Sequence, residues 1–116
     1  MRLATVAPQP RPPSSDFAGM AAKAREAADF LKALAHESRL MILCLLCEGE
    51  KSVTELEHML ALRQPTVSQQ LARLRTDGLV STRRNGKTIY YRLASEETRV
   101  VIEAVHDVFC GQRRVG

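Results

Sequence analysis

Residues 52–93 read Ser52-Val-Thr-Glu55-Leu-Glu-His-Met-Leu-Ala61-Leu-Arg-Gln64-Pro65-Thr-Val-Ser-Gln-Gln-Leu-Ala-Arg-Leu74, then Arg75-Thr-Asp77-Gly78, then Leu79-Val-Ser-Thr-Arg-Arg-Asn85-Gly86-Lys-Thr-Ile-Tyr-Tyr-Arg-Leu93. Ser52 and Glu55 form an S-x-x-E capping box, so a helix begins there and ends by about Ala61. Pro65 suits the first turn of a second helix, where its missing N–H costs nothing. Val67, Gln70, Leu71 and Leu74 mark the inward side of that helix, and Gly78 supplies its stop. Asn85-Gly86 lies between runs rich in β-formers and predicts a hairpin turn with positive φ at both residues. Val80, Thr82, Ile89, Tyr91 and Leu93 alternate with Ser81, Arg83, Thr88, Tyr90 and Arg92. Two short helices followed by a basic hairpin make a unit shaped to lay one helix in a DNA groove and one wing along the backbone.

Before this unit, Leu40 to Cys47 is apolar without a break, which predicts a central helix from about Glu37 to Glu48, buried on all sides and ended by Gly49. Further back, Phe17, Met20, Ala21, Ala24, Ala27, Ala28, Leu31 and Leu34 recur at helical spacing after a cap at Ser15 or Asp16. The alanines allow close approach of another helix, in a dimer or within the monomer. After the unit, a last helix starts past Ser95 and runs to about Cys110. Val101, Ala104, Val105 and Val108 form its apolar side, widened by Ile102 and Phe109. The fold class is therefore mostly α with a β-hairpin wing: a winged helix-turn-helix in the order α-α-α-α-β-β-α. Residues 1–14, with Pro8, Pro10, Pro12 and Pro13, read as a disordered arm, 15–112 as the domain and 113–116 as a tail.

At 116 residues the chain is one small domain, with enough surface for its volume that oligomerisation helps it. The formal net charge of +4 favours a polyanionic partner. There is no apolar run of about 18 residues to span a membrane, and no leader-type apolar segment of about 7 to 15 residues, so the sequence reads as cytoplasmic. In that compartment the three cysteines are expected as thiols and not as structural disulfides.

The residues expected to meet DNA are Gln64, Thr66, Ser68 and Gln69, clustered at the N-terminal end of the fourth helix. Their side chains hydrogen-bond base edges and phosphates, and that helix end presents free N–H groups to anions. Arg73, Arg75, Arg83, Arg84 and Lys87 are expected to contact the phosphate backbone. No nucleophile–base constellation points to an enzyme, and no cofactor motif is present.

The segment Leu34-Ala-His-Glu-Ser-Arg-Leu-Met-Ile-Leu43, the helix from Gln64 to Leu74 and the stretch Gly78 to Leu93 resemble the ArsR/SmtB family of winged-helix repressors, over residues 16–112 or so. The resemblance implies a homodimer through the first and last helices, bound to an imperfect inverted repeat in a promoter and released by an inducer. Members of that family commonly sense metals. Their Cys-x-Cys site in the third helix falls here on Ser52 and Thr54, which are not thiolates. Their Asp, His, His and Glu site in the last helix finds only Glu103 and His106. Both ordinary metal sites are lost, and no metal is assigned.

The remaining thiols are Cys44, Cys47 and Cys110. The pair Cys44 and Cys110 is similar to that of the BigR and SqrR branch of the family, which responds to persulfides and polysulfides. The resemblance implies that reactive sulfur links these two cysteines and that the linked dimer leaves DNA. Taken by their surroundings alone, the same cysteines read differently: a thiol in an apolar helix is usually an inert small hydrophobe with a raised pKa, and a helix C-terminus disfavours a thiolate at Cys110. Cys47 remains open as core filler, as a resolving thiol or as a third ligand in a soft-metal site with Cys44, Cys110 and His106. Two alternatives stand beside the sulfur-sensing reading: a metal-responsive repressor using Cys44, Cys47 and Cys110, and a winged-helix scaffold that does not bind DNA.

Overall fold

The computed structural model describes residues 15–111. The arm at 1–14, the tail at 113–116 and the domain boundary at residue 112 lie outside the described residues. Within them the order is α1 (Ser15–Leu34), α2 (Glu37–Leu46), β1 (Lys51–Ser52), α3 (Val53–Leu60), α4 (Gln64–Thr76), β2 (Val80–Asn85), β3 (Thr88–Leu93) and α5 (Glu96–Cys110). This is the winged-helix order that the sequence predicts, with one short strand added.

Helices α3, α4 and α5 each have a local cause. Ser52 accepts from the Glu55 N–H at 3.1 Å and the Glu55 carboxylate accepts from the Ser52 N–H at 2.8 Å, closing the capping box at the start of α3. Ala61 ends α3 in the left-handed region at φ 55, and the turn Ala61-Leu62-Arg63 leads into α4 with Pro65 in its first turn. Ser95 caps α5 by accepting from the Thr98 N–H at 3.2 Å. Gly78, at φ 77, turns the chain from α4 into the wing.

The added strand β1 pairs antiparallel with β3, Lys51 opposite Tyr91 and Ser52 opposite Tyr90, so the sheet runs β1-β3-β2. A two-residue strand has no periodicity to read, which is why the sequence gives only the hairpin. The turn also differs from expectation. Asn85 pairs with Thr88, which leaves Gly86-Lys87 as the two-residue loop, and only Gly86 has positive φ, at 67. A glycine alone at the first turn position is the requirement of a type II′ turn, whereas the expected Asn-Gly loop is type I′. The one-residue shift sets Arg84 opposite Ile89 and Arg83 opposite Tyr90, instead of placing Arg84 against Lys87. Like charges directly opposite are unfavourable, so the observed register is the better one.

One core joins Ala33 and Leu34 of α1, Ile42, Leu43 and Leu46 of α2, Leu56 of α3, Val67, Leu71 and Leu74 of α4, and Leu79, Val80, Leu93 and Ile102. The α4 face is the one predicted. Two expectations change. α2 ends at Leu46, not Glu48, and is not buried on all sides: Met41 is exposed and Leu40, Cys44 and Leu45 are half-buried. Its outer side is left open because α5 covers only part of it. In α5 the inward residues are Thr98 and Ile102, with Val101 and Val105 half-buried, while Val108 and Phe109 are exposed, Phe109 by 81%. The end of α5 runs past the core.

Candidate functional site

The face built by α4 and the wing is where the sequence places DNA contacts. α4 starts from Arg63, whose side chain makes no capping hydrogen bond, so the first-turn N–H groups carry no side-chain cap. Gln64 and Gln69 are exposed, and Thr66 and Ser68 are half-buried. Gln64 Nε2 donates to Ser68 Oγ at 2.8 Å, so these two residues form a pair one turn apart. Arg84 and Lys87 stand exposed at the wing tip with no ion pair among the described residues.

Of the other three predicted basic contacts, Arg75 is exposed, and Arg73 and Arg83 are already engaged. Arg73 Nε lies 3.0 Å from Asp77 Oδ2 in an i,i+4 pair. Arg83 donates to Glu50 through Nε and Nη2, at 2.7 to 3.2 Å, and its guanidinium lies 4.9 Å from the Tyr90 ring centroid. That hydrogen bonding holds the Glu50 carboxyl below its ordinary pKa and raises Arg83. Arg83 thus ties the wing to the segment before β1, a partner more than thirty positions away that no local pattern announces.

Behind this face, the Arg39 guanidinium is buried. It donates to the Ala33 carbonyl at 2.7 Å and to Gln70 Oε1 at 3.0 Å, linking the end of α1, α2 and α4. The sequence places Gln70 inward but does not supply its partner.

A second region lies between α2 and α5. A groove of about 920 Å³ is lined by Cys44 from α2's last turn, Cys47 just past its end and Cys110 at the end of α5, with Met41, His106 and Phe109 among its walls. No disulfide links the three cysteines. Burial, and secondarily the nearby Cys110, push the Cys44 thiol above its ordinary pKa. Burial also raises Cys47, against the opposing pull of the Arg99 guanidinium; Glu103, Cys44 and Glu48 add to the rise. Arg99 Nη1 donates to the Cys47 carbonyl at 2.6 Å, pinning the end of α2 to α5. Cys44, expected to be fully buried, is half-buried because of the groove. Among the described residues no three His, Cys, Asp or Glu side chains gather closely enough to hold a metal ion. The soft-metal grouping of Cys44, Cys47, Cys110 and His106 is therefore not assembled in this conformation. No described helix is long and apolar enough to cross a membrane.

Residues 36–82 match the family described as bacterial regulatory protein, arsR family. The chain is 53% identical over 91 residues to the biofilm growth-associated repressor of Agrobacterium fabrum (strain C58), covering 78% of each chain. It superposes with a TM-score of 0.77 on the crystal structure of the transcriptional repressor BigR from Xylella fastidiosa, at 47% identity, covering 82% of this chain and 97% of that one. A homodimeric winged helix-turn-helix domain from Mycobacterium bovis, a possible ArsR-family regulator, superposes at 0.68 with 37% identity over 77% of this chain and 82% of that one.

Proposed function

The chain belongs to the arsR family of bacterial regulatory proteins, a DNA-binding transcriptional repressor, and on that premise we propose that reactive sulfur releases it from its promoter by linking Cys44 to Cys110. The observation that carries this reading is the groove itself. Two thiols from different helices open on one partly apolar space, close enough that Cys110 perturbs the ionisation of Cys44.

The chemistry needs no cofactor. A thiolate attacks the central sulfur of a trisulfide R–S–S–S–R, breaking one S–S bond and expelling RS⁻. The second cysteine attacks that same sulfur and expels the other RS⁻. The product is a Cys–S–S–S–Cys bridge; two thiolates are oxidised and the two outer sulfurs of the donor are reduced. A simple disulfide requires Cα atoms within about 7 Å, and each added sulfur widens the span, which favours polysulfide over simple oxidants.

The protein acts as a homodimer through α1 and α5. Phe17, Met20 and Leu31 on α1 and Val100, Val108 and Phe109 on α5 are large apolar side chains exposed in the single chain, as an uncovered interface would leave them. Dimerisation sets the two α4 helices at the spacing of successive major grooves, about 34 to 36 Å, on an inverted repeat. Gln64, Thr66, Ser68 and Gln69 face the bases and adjacent phosphates; Arg84 and Lys87 hold the backbone, and Arg73 and Arg83 reach it by exchanging their carboxylate partners. The bridge ties α2 to α5, the dimer helix, and changes that spacing.

The test is operator binding before and after polysulfide. Cys44→Ser and Cys110→Ser bind operator DNA as wild type does and stay bound after treatment. Release of either variant at the wild-type dose sinks the sulfur reading. Salt-independent or absent DNA binding by the untreated protein would instead return it to a scaffold.

A further inference from the structure

α2 does not end as a plain α-helix. The Cys47 N–H is shared between the Leu43 carbonyl at 3.1 Å and the Cys44 carbonyl at 3.2 Å, and the chain then tightens, Glu48 donating to Leu45 at 3.0 Å and Gly49 to Leu46 at 3.1 Å. Cys47 therefore keeps right-handed helical backbone, at φ -64 and ψ -24, three residues after Cys44. Residues three apart are neighbours on one helix face, with Cα atoms about 5 Å apart by helix geometry, inside the span that a disulfide bridges. Both thiols line the groove that also holds Cys110. Arg99 fixes the Cys47 backbone from α5 through its carbonyl. Cys44 is the thiol that neighbours both others: its ionisation feels Cys110, and that of Cys47 feels Cys44.

We propose that Cys47 is a second resolving thiol, which competes with Cys110 for sulfur-loaded Cys44 and forms a Cys44–Cys47 link confined to α2. This rests on the sulfur-sensing reading of the same groove. When Cys44 carries a persulfide, the Cys47 thiolate attacks the Cys44 sulfur, the Cys44–S–SH bond breaks and HS⁻ leaves. When the Cys44–Cys110 bridge has formed, Cys47 attacks Cys44 Sγ, and Cys110 departs with the bridging sulfur as its persulfide anion. Each step exchanges one S–S bond for another and needs no outside oxidant. The short link leaves α2 and α5 untied, so it does not release DNA. Cys47 thereby raises the sulfur dose at which the repressor lets go.

The experiment uses sodium tetrasulfide on the full chain, followed by alkylation and intact-protein mass spectrometry. Cys110→Ser retains only Cys44 and Cys47 as thiols. The expected result is a monomer that has lost two hydrogens, with or without added sulfur, resists alkylation and still binds operator. Cys47→Ser and Cys47→Ala are released at a tetrasulfide dose lower by about twofold, as removal of one of two comparable resolving thiols requires. Alkylation of both thiols in treated Cys110→Ser, or an unchanged release dose in both Cys47 variants, overturns the inference. The linkage readout needs no DNA, so it stands apart from the sulfur reading, which fails if Cys44→Ser or Cys110→Ser is released as wild type is.

Discussion

Cys44 carries opposing demands. Half-burial keeps it packed against the core, and the same burial, with Cys110 beside it, holds its thiol above the ordinary value of 9.0. The folded protein therefore keeps that proton more tightly than the unfolded chain. The associated stability is present in full below the unfolded thiol pKa and is lost as pH rises from there through the higher folded pKa. Reactivity follows the thiolate, so alkylation of Cys44 at neutral pH is slower than that of an unperturbed thiol and keeps rising above pH 9.0. Because Cys110 adds to the shift, Cys110→Ser moves the pH profile of Cys44 alkylation to lower pH; a profile unmoved or moved upward would contradict the coupling. At the wing, Arg84→Ala weakens operator and non-operator DNA alike and lowers the slope of log K against log salt by about 1, as one lost phosphate contact does. An unchanged slope would remove Arg84 from the interface.

At the scale of elements, what the sequence makes legible is what has a local cause. The capping box at Ser52 and Glu55, Pro65 at the start of α4 and the cap at Ser95 each act within one turn, and each appears where the residues put it. The apolar face of α4 is equally local. What escapes is set by long-range packing. Glu50 meets Arg83, and Arg39 meets Gln70, across more than thirty positions each. Lys51-Ser52 becomes a strand only because β3 lies alongside. The turn moves from Asn85-Gly86 to Gly86-Lys87 because the sheet register, not the dipeptide, chooses it. The tightened turn at Glu48 and Gly49, just past α2, likewise has no sequence signature. Ser52→Ala removes one half of the capping box and costs about 1 kcal/mol of stability in urea unfolding. A loss under a few tenths would mean that α3 is held by packing alone.

For the whole molecule, the described chain has the form of one half of the proposed dimer. A core shared by α1 to α5 positions α4 and the wing on one side, while the apolar side chains of α1 and the end of α5 remain uncovered. The cysteine groove lies between α2 and α5, so the proposed sensor and the proposed dimer helix share α5, and α4 with the wing hangs on the same core. Phe109→Glu, at a side chain 81% exposed and outside the core, leaves the fold intact and converts the protein to monomers in light scattering. Its operator affinity falls with the loss of paired half-sites. A variant that stays dimeric would move the interface elsewhere.

The central claim is that a sulfur bridge between Cys44 and Cys110 is what empties the operator. The most direct measurement separates DNA-bound from DNA-free protein after partial polysulfide treatment and takes the intact mass and the linked peptides of each fraction. The account predicts that the freed fraction carries the Cys44–Cys110 link, with its mass raised by whole sulfur atoms less two hydrogens, while the bound fraction lacks that link. Freed protein without it, or bound protein that carries it, would contradict the account.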